Sequence, residues 1–441
     1  MFTNQALRKL VYPLFLDQIL IITVGIIATM MVSYAGVAAV SGVSLVDMIN
    51  MLLINVLAAL ATGGAVVVSQ YLGRKEKDNA RFAASQLITV TVVISVVIML
   101  LVLLFNKPIL RILFGSINDD VMSAAIIYFI ISCLSYPFLA VYNSGAALFR
   151  SMGISRVPMF VSIIMNVGNV VGNAIAIFVF DAGVVGIGVS ALIARAVAAS
   201  IMMYMSLNRN NEIFIRFSEI FSWERNMIKR ILNIAIPNGI ENGIVQLGRV
   251  LLVSIIALFG TSQIAANGIT NSLVMISISF ANAMNLAIVT VVGQCVGAGE
   301  YEQATYYTKK LTKTTYIWTL CLSLAQIALL PLILNLYTLS PEVHRLIYIL
   351  VVIHNGFAIF LWPISFTFSN ALRAAGDVRY TMIVSIGSMF ILRIALGYTL
   401  GVVFDMGVVG IWVAMGFDWA LRAVIYIARY KSGKWKNFNV I

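Results

Sequence analysis

Charge is what this sequence has least of. Only 10% of its 441 residues are Asp, Glu, Lys or Arg, well below the roughly 25% of a soluble domain, so a soluble globular fold is excluded. Two histidines and three cysteines leave little material for a metal centre. Cys133, Cys295 and Cys321 fall singly in apolar stretches. They are read as small core residues, with neither a disulfide framework nor a zinc site implied. Nothing matches G-x-x-x-x-G-K-[ST], so ATP is not the fuel within this chain. No His/Asp/Cys constellation gathers a nucleophile, a base or metal ligands, which argues against an enzyme and its cofactor.

What abounds is apolar: 61% of positions. A membrane span needs about 20 mainly apolar residues. Twelve such stretches run at 11–33, 43–70, 84–105, 121–148, 158–180, 184–207, 231–259, 268–295, 311–336, 343–371, 380–403 and 408–429. Pro13, Pro137, Pro237 and Pro363 lie inside them, as bundled membrane helices tolerate. No cleavable signal peptide is expected, because the apolar stretch after Arg8 and Lys9 is too long for one.

The formal charge of +12 is distributed by side. If the N-terminus is cytoplasmic, the inside segments hold most Lys and Arg, among them Arg74, Lys75, Arg150, Arg156, Arg373 and Arg379. The outside loops then hold only Lys107, Arg111 and Arg345. The positive-inside rule therefore predicts a multi-pass protein of the plasma (inner) membrane with both termini cytoplasmic. The basic excess reads as topology and attraction to anionic membrane lipids, not as nucleic-acid binding.

The chain also repeats itself. A shift of 224 lays Pro13 on Pro237, Asp17 on Glu241, Glu76 on Glu300, and Asp181-Ala-Gly-Val-Val-Gly-Ile187 on Asp405-Met-Gly-Val-Val-Gly-Ile411. A shift of 223 lays Arg150-x-x-Gly153-x-x-Arg156 on Arg373-x-x-Gly376-x-x-Arg379. Apolar helices match by chance; matching loops do not. Six spans per half make the repeats parallel. The expected architecture is all-α, with an N-lobe at 1–207, a linker at 208–230, a C-lobe at 231–430 and a cytoplasmic tail at 431–441. Two such lobes are expected to enclose a central cavity. In the linker, Ile213, Phe214, Phe217, Ile220, Phe221 and Trp223 alternate with Arg216, Glu219, Glu224 and Arg225, which predicts an amphipathic helix at the cytoplasmic interface.

At its loops the sequence resembles the multidrug and toxic compound extrusion (MATE) family. The resemblance is carried by Gly64-Ala-Val-Val-Val-Ser-Gln-Tyr-Leu-Gly73 and its copy Val291-Val-Gly-Gln-Cys-Val-Gly-Ala-Gly299. Leu148-Phe-Arg-Ser-Met-Gly153 with its copy, Asn166-Val-Gly-Asn-Val-Val-Gly-Asn173, Ile236–Gly248 and Asp418-Trp-Ala-Leu-Arg422 add to it. It covers nearly the whole chain. It implies twelve helices in two lobes and export of small, amphipathic, often cationic compounds in exchange for protons or sodium. The chain is expected to act as a monomer on a small-molecule substrate. Many members place an aspartate in the first helix where Ala28 stands here, and a second acid where Asn173 stands, while a family asparagine is kept as Asn169.

Charges at mid-membrane depth are functional candidates by default. They are Asp17, Arg195, Glu241, Arg249, Arg393, Asp418 and Arg422, with Asp47 at the margin. A carboxylate in apolar surroundings can take up and release a proton near neutral pH. Glu241, Asp17 and Asp418 are thus the ion-coupling candidates, with sodium as the other ion they could hold. Each also has a plain reading as a helix-end anchor or, for Asp418 and Arg422 at i, i+4, a structural pair. Arg393 could share Asp418 and leave a net positive cluster. Asn166, Asn169 and Asn173 share a helix face; with Gln246, Arg249, Arg393 and His354 they are the cavity or substrate candidates. Hydrogen bonding between helices is the plain alternative for the asparagines, and core packing for His354. The mid-span arginines keep open a second function, a flippase of related fold for lipid-linked or polyisoprenoid-phosphate cargo.

Overall fold

The structure, a computed structural model, describes residues 2–32, 34, 37–115, 118–335, 339–438 and 440–441, without the side chains of 29, 32, 37 and 38. Residues 33 and 336, where two expected spans end, lie outside the described residues.

Among the described residues eleven helices are long and apolar enough to cross a membrane, and a bent pair brings the spans to twelve. Contacts divide the chain into two compact units, Phe2–Gly239 with Ile441, and Ile240–Val440.

The first unit holds α1 (Asn4–Val32), α2 (Val37–Gly73), α3 (Lys77–Phe114), α4 (Asp119–Leu134), α5 (Tyr136–Ser151), α6 (Arg156–Phe178) and α7 (Gly183–Ser206). The fourth span is the bent pair, α4 and α5 meeting at 42°. Pro137 lies in the first turn of α5, where it lacks an N–H and disfavours helix at the residue before it. Polarity is inverted relative to a soluble bundle. On α3, Ser85, Gln86, Thr91 and Ser95 are buried while Val93, Val97, Leu101 and Leu104 are exposed. Lipid tails accept the apolar stripe, and the hydroxyls must find partners among neighbouring helices.

The linker departs from expectation. Only one turn, α8 (Phe217–Ile220), is helical. Its polar groups bond to α3 instead: Arg81 pairs with Glu219 at 3.2 Å, Ser85 Oγ donates to Glu219 Oε2 at 3.2 Å, and Thr89 Oγ1 donates to the Ile220 carbonyl at 2.6 Å. Ile213 and Ile215 are buried. These bonds to α3 take the place of a helix's own. The start of α9 (Arg225–Ile256) also belongs to the first unit. Ile231 is fully buried, and Asn238 Nδ2 donates to the Ala59 carbonyl at 2.6 Å.

The second unit holds the rest of α9, then α10 (Thr261–Ser277), α11 (Ser279–Gly297), α12 (Tyr301–Leu334), α13 (Pro341–Trp362), α14 (Ser369–Ala374), α15 (Val378–Ser388) and α16 (Gly407–Lys431). The stretch expected as one span over 268–295 breaks between α10 and α11 at Ile278, where ψ is 2°. Ser277 and Ser279 hydroxyls bond to nearby carbonyls there, a local competition that favours helix ends. π-helical turns follow α13 (Pro363–Phe368) and α15 (Met389–Leu396, Thr399–Val403).

The turns repeat with the sequence. Positive φ occurs at Lys75 (63°) and Gly299 (76°), at Asp181 (47°) and Asp405 (54°), and at Gly153 (77°) and Gly376 (100°). Lys75 and Glu76 amides close their helix end on Leu72 and Tyr71 carbonyls; Gly299 and Glu300 do so on Val296 and Cys295. Left-handed closure is costly for a lysine, so its presence opposite a glycine shows the turn itself is the repeated feature. All three cysteines are free, with Cys133 and Cys295 buried. Cys321 is exposed on α12 and is not a core residue; a small apolar side chain suits lipid contact equally well.

Candidate functional site

In the second unit Glu241 sits on α9, four residues after Pro237, with 4% of its surface exposed. Its Oε1 accepts a hydrogen bond from the Arg373 guanidinium. Arg373, at the end of α14, also donates to Asn370 Oδ1 at 2.9 Å. Glu241 Oε2 and Arg373 Nε have no hydrogen-bond partner. The pair therefore touches through one bond and leaves one buried hydrogen-bonding atom of each group unsatisfied.

The first unit places an acid and an arginine at the matching positions of its repeat. Asp17 on α1 follows Pro13 by four residues and is buried. It lies near Ser162 and in the field of Arg150; Tyr142 borders the same three groups. The separation from acid to arginine is 133 residues in the first half and 132 in the second. Sequence reasoning missed both arginines, counting them as charges that set topology. Their nearly equal offset from two repeat-related acids, 133 and 132 residues, was the available signal.

The asparagine face of α6 continues from Ser162. Asn166 Nδ2 donates to the Ser162 carbonyl at 2.8 Å and to its hydroxyl at 3.1 Å, and Asn173 Nδ2 donates to Asn169 Oδ1 at 2.9 Å. Asn173 Oδ1 is buried without a partner. A second polar group on the first unit was also undervalued. Exposed Asp47 accepts from Tyr128 OH at 3.0 Å and Asn50 Nδ2 at 3.3 Å, and Tyr136 OH donates to Asn50 Oδ1 at 2.7 Å. Arg195 donates to Ser135 Oγ at 2.6 Å in the same region and lies in the field of Asp47.

Asp418 is the hub of the second unit's other cluster. It is fully buried; Arg422 Nε bonds to its Oδ1 at 2.8 Å and Arg393 lies 3.8 Å from its Oδ2. Arg422 also donates to the Ser385 carbonyl at 3.1 Å. Tyr426 hydrogen bonds with Ser385 Oγ at 2.9 Å and lies in the fields of Glu241, Arg373 and Arg422, so it borders both clusters. Arg249 stands in the field of Arg422, and Arg393 in that of Arg249. Gln246 is half-buried with no hydrogen-bond partner among the described residues. His354 is packed edge-on between Trp412 (5.9 Å) and Trp419 (5.4 Å), with Nδ1 3.4 Å from Asn355 Oδ1. That is a core position. Among the described residues no three His, Cys, Asp or Glu side chains come together as metal ligands.

Two repeats of apolar spans, each burying an acid in the field of an arginine, have the build of a membrane transporter and not of an enzyme. The chain belongs to the MatE family. That family's sequence profile matches residues 13–175 and again 237–399, intervals set apart by the same shift that lays Pro13 on Pro237. It is 26% identical to the uncharacterized transporter YisQ of Bacillus subtilis over 98% of this chain and 94% of that one. It is 23% identical to the probable multidrug resistance protein NorM of Thermotoga maritima, over 99% and 94%. Among solved structures, a mutant of the Vibrio cholerae MATE transporter VcmN shares the fold with a TM-score of 0.90, at 17% identity, covering 99% of this chain and 98% of that one.

Proposed function

We propose that this chain is a cation-coupled antiporter that exports small amphipathic organic compounds, cationic ones among them, by alternating access. It does so as a monomer in the plasma membrane, with both termini cytoplasmic. The observation that carries the coupling is the Glu241–Arg373 ion pair, with an acid and an arginine, Asp17 and Arg150, at the matching positions of the other repeat. A proton or sodium ion arriving at Glu241 competes with the Arg373 guanidinium for the same carboxylate. Binding the ion frees the arginine, and losing the ion restores the pair. Each ion thus trades one local arrangement of α9 and α14 for another, the element a coupled exchanger requires. Asp418 is held by two arginines and is less available to an ion, so we assign it to the cargo side. The relatives named for multidrug resistance support the cargo class.

The test is efflux from proteoliposomes under a proton gradient or a sodium gradient imposed separately. One gradient should drive efflux of an amphipathic dye, and Glu241→Gln should abolish it while the protein stays monodisperse. Efflux at the wild-type rate in that variant ends the assignment. A second reading, a flippase for lipid-linked phosphate, is favoured by Arg249, Arg393 and Arg422, which suit phosphate oxygens. Lipid scrambling without dye efflux would select it.

A further inference from the structure

Two guanidiniums in the second unit share one carboxylate, and a third stands in their field. Arg422 and Arg393 both turn to Asp418, and Arg249 stands in the field of Arg422 and Arg393. The neighbouring Glu241–Arg373 pair is neutral in itself, and His354 is engaged with Asn355. No other acid answers the cluster among the described residues, so two positive charges remain in excess. Like charges held together around a buried carboxylate are unfavourable unless a counter-charge joins them.

Arg249 is the least engaged of the three arginines. It makes no hydrogen bond or ion pair among the described residues, and its side chain is exposed. It flanks the buried face of α9 formed by Glu241, Gly248 and Leu252. The space beside Gly248 is closed by Met389, at the start of the π-helical turn that carries Arg393. Such turns widen a helix locally and recur at functional sites. Gln246, three residues earlier on α9, adds an unpartnered amide. Phe366 lies under the Arg422 guanidinium at 5.8 Å and meets Trp419 at 5.9 Å, so apolar rings border the charge.

We infer that Arg249, backed by Arg393 and Arg422, binds the anionic group of an amphipathic cargo: a carboxylate, sulfonate or phosphate on an apolar or aromatic body. This rests on the transporter reading above and extends its cargo to compounds that carry an acidic group.

Binding to purified protein in neutral detergent tests it, followed by fluorescence polarisation of fluorescein, an aromatic carboxylate, with cationic rhodamine 6G as the matched control. Fluorescein should bind saturably, and Arg249→Gln and Arg249→Ala should each weaken it about tenfold, the loss of one charge-assisted hydrogen bond. Arg249→Lys should retain part of the affinity. Glu241→Gln, which adds one positive charge nearby, should bind fluorescein as well as wild type or better while losing gradient-driven efflux. That separates a failure of the anion site from a failure of the coupling assignment. Displacement by a short-chain phosphatidylglycerol but not by inorganic phosphate identifies a lipid-borne phosphate as an occupant; displacement by soluble aromatic carboxylates alone identifies a free organic anion. Unchanged fluorescein affinity in both Arg249→Gln and Arg249→Ala, or binding of rhodamine 6G alone, overturns the inference.

Discussion

Asp17 and Glu241 stand out in the sequence because an acid amid apolar residues has nowhere inexpensive to go. Arg150 and Arg373 do not stand out, because each sits at a helix end among other basic residues. A long side chain starting at the membrane edge can still reach inward, and reach is not written in composition. The Glu241–Arg373 contact is mostly sheltered, with side-chain exposures of 6% and 15%. Arg373→Met should therefore destabilise the protein by about 3–5 kcal/mol, since it leaves a buried carboxylate alone. Adding Glu241→Gln should restore most of that stability without restoring transport. Thermal melts in detergent, run alongside efflux, check both halves. Asp418 behaves differently: its i, i+4 partner Arg422 was readable from spacing, whereas the added hold of Arg393 needed the fold.

Spans were legible as elements from apolar length alone, but their interruptions were not. The break at Ile278 and the π-helical turns of Pro363–Phe368 and Met389–Leu396 fall inside runs whose hydropathy is continuous. Hydropathy reports transfer into lipid and is silent on which hydrogen-bond ladder the backbone chooses. The linker failed for a related reason. Its alternation of apolar and charged residues fits a helix on lipid, yet Glu219 and the Ile220 carbonyl are held by α3. Close packing between elements yields its own test. A Cβ at Gly410 would meet backbone atoms of Leu400 and Gly401 at 2.7–2.8 Å, whereas one at Gly268 meets nothing within 4 Å. Gly410→Ala should cost about 1–3 kcal/mol by forcing α16 off its neighbour. Gly268→Ala should be neutral or gain up to about 1 kcal/mol from helix propensity. Melting temperatures of the two variants decide it.

For the whole molecule, the repeat was legible because loops match where apolar spans cannot help doing so, and the paired positive-φ turns at Lys75/Gly299 and Asp181/Asp405 are its physical counterpart. The positive-inside reading predicts that a cysteine placed at Asn210 reacts with an impermeant maleimide only after the membrane is opened. One placed at Ser340 should react in intact cells. The excess of two positive charges around Asp418 has an electrical consequence. If one cation enters for each molecule expelled, a monovalent cationic cargo moves no net charge, a neutral one moves one and an anionic one moves two. At about 2.3 kcal/mol per charge per 100 mV, the anion leaves with roughly 4.6 kcal/mol of voltage behind it, on the order of a thousandfold accumulation ratio. The resting potential then acts as a sorting device, expelling acids hardest and cations only as far as the ion's chemical gradient allows.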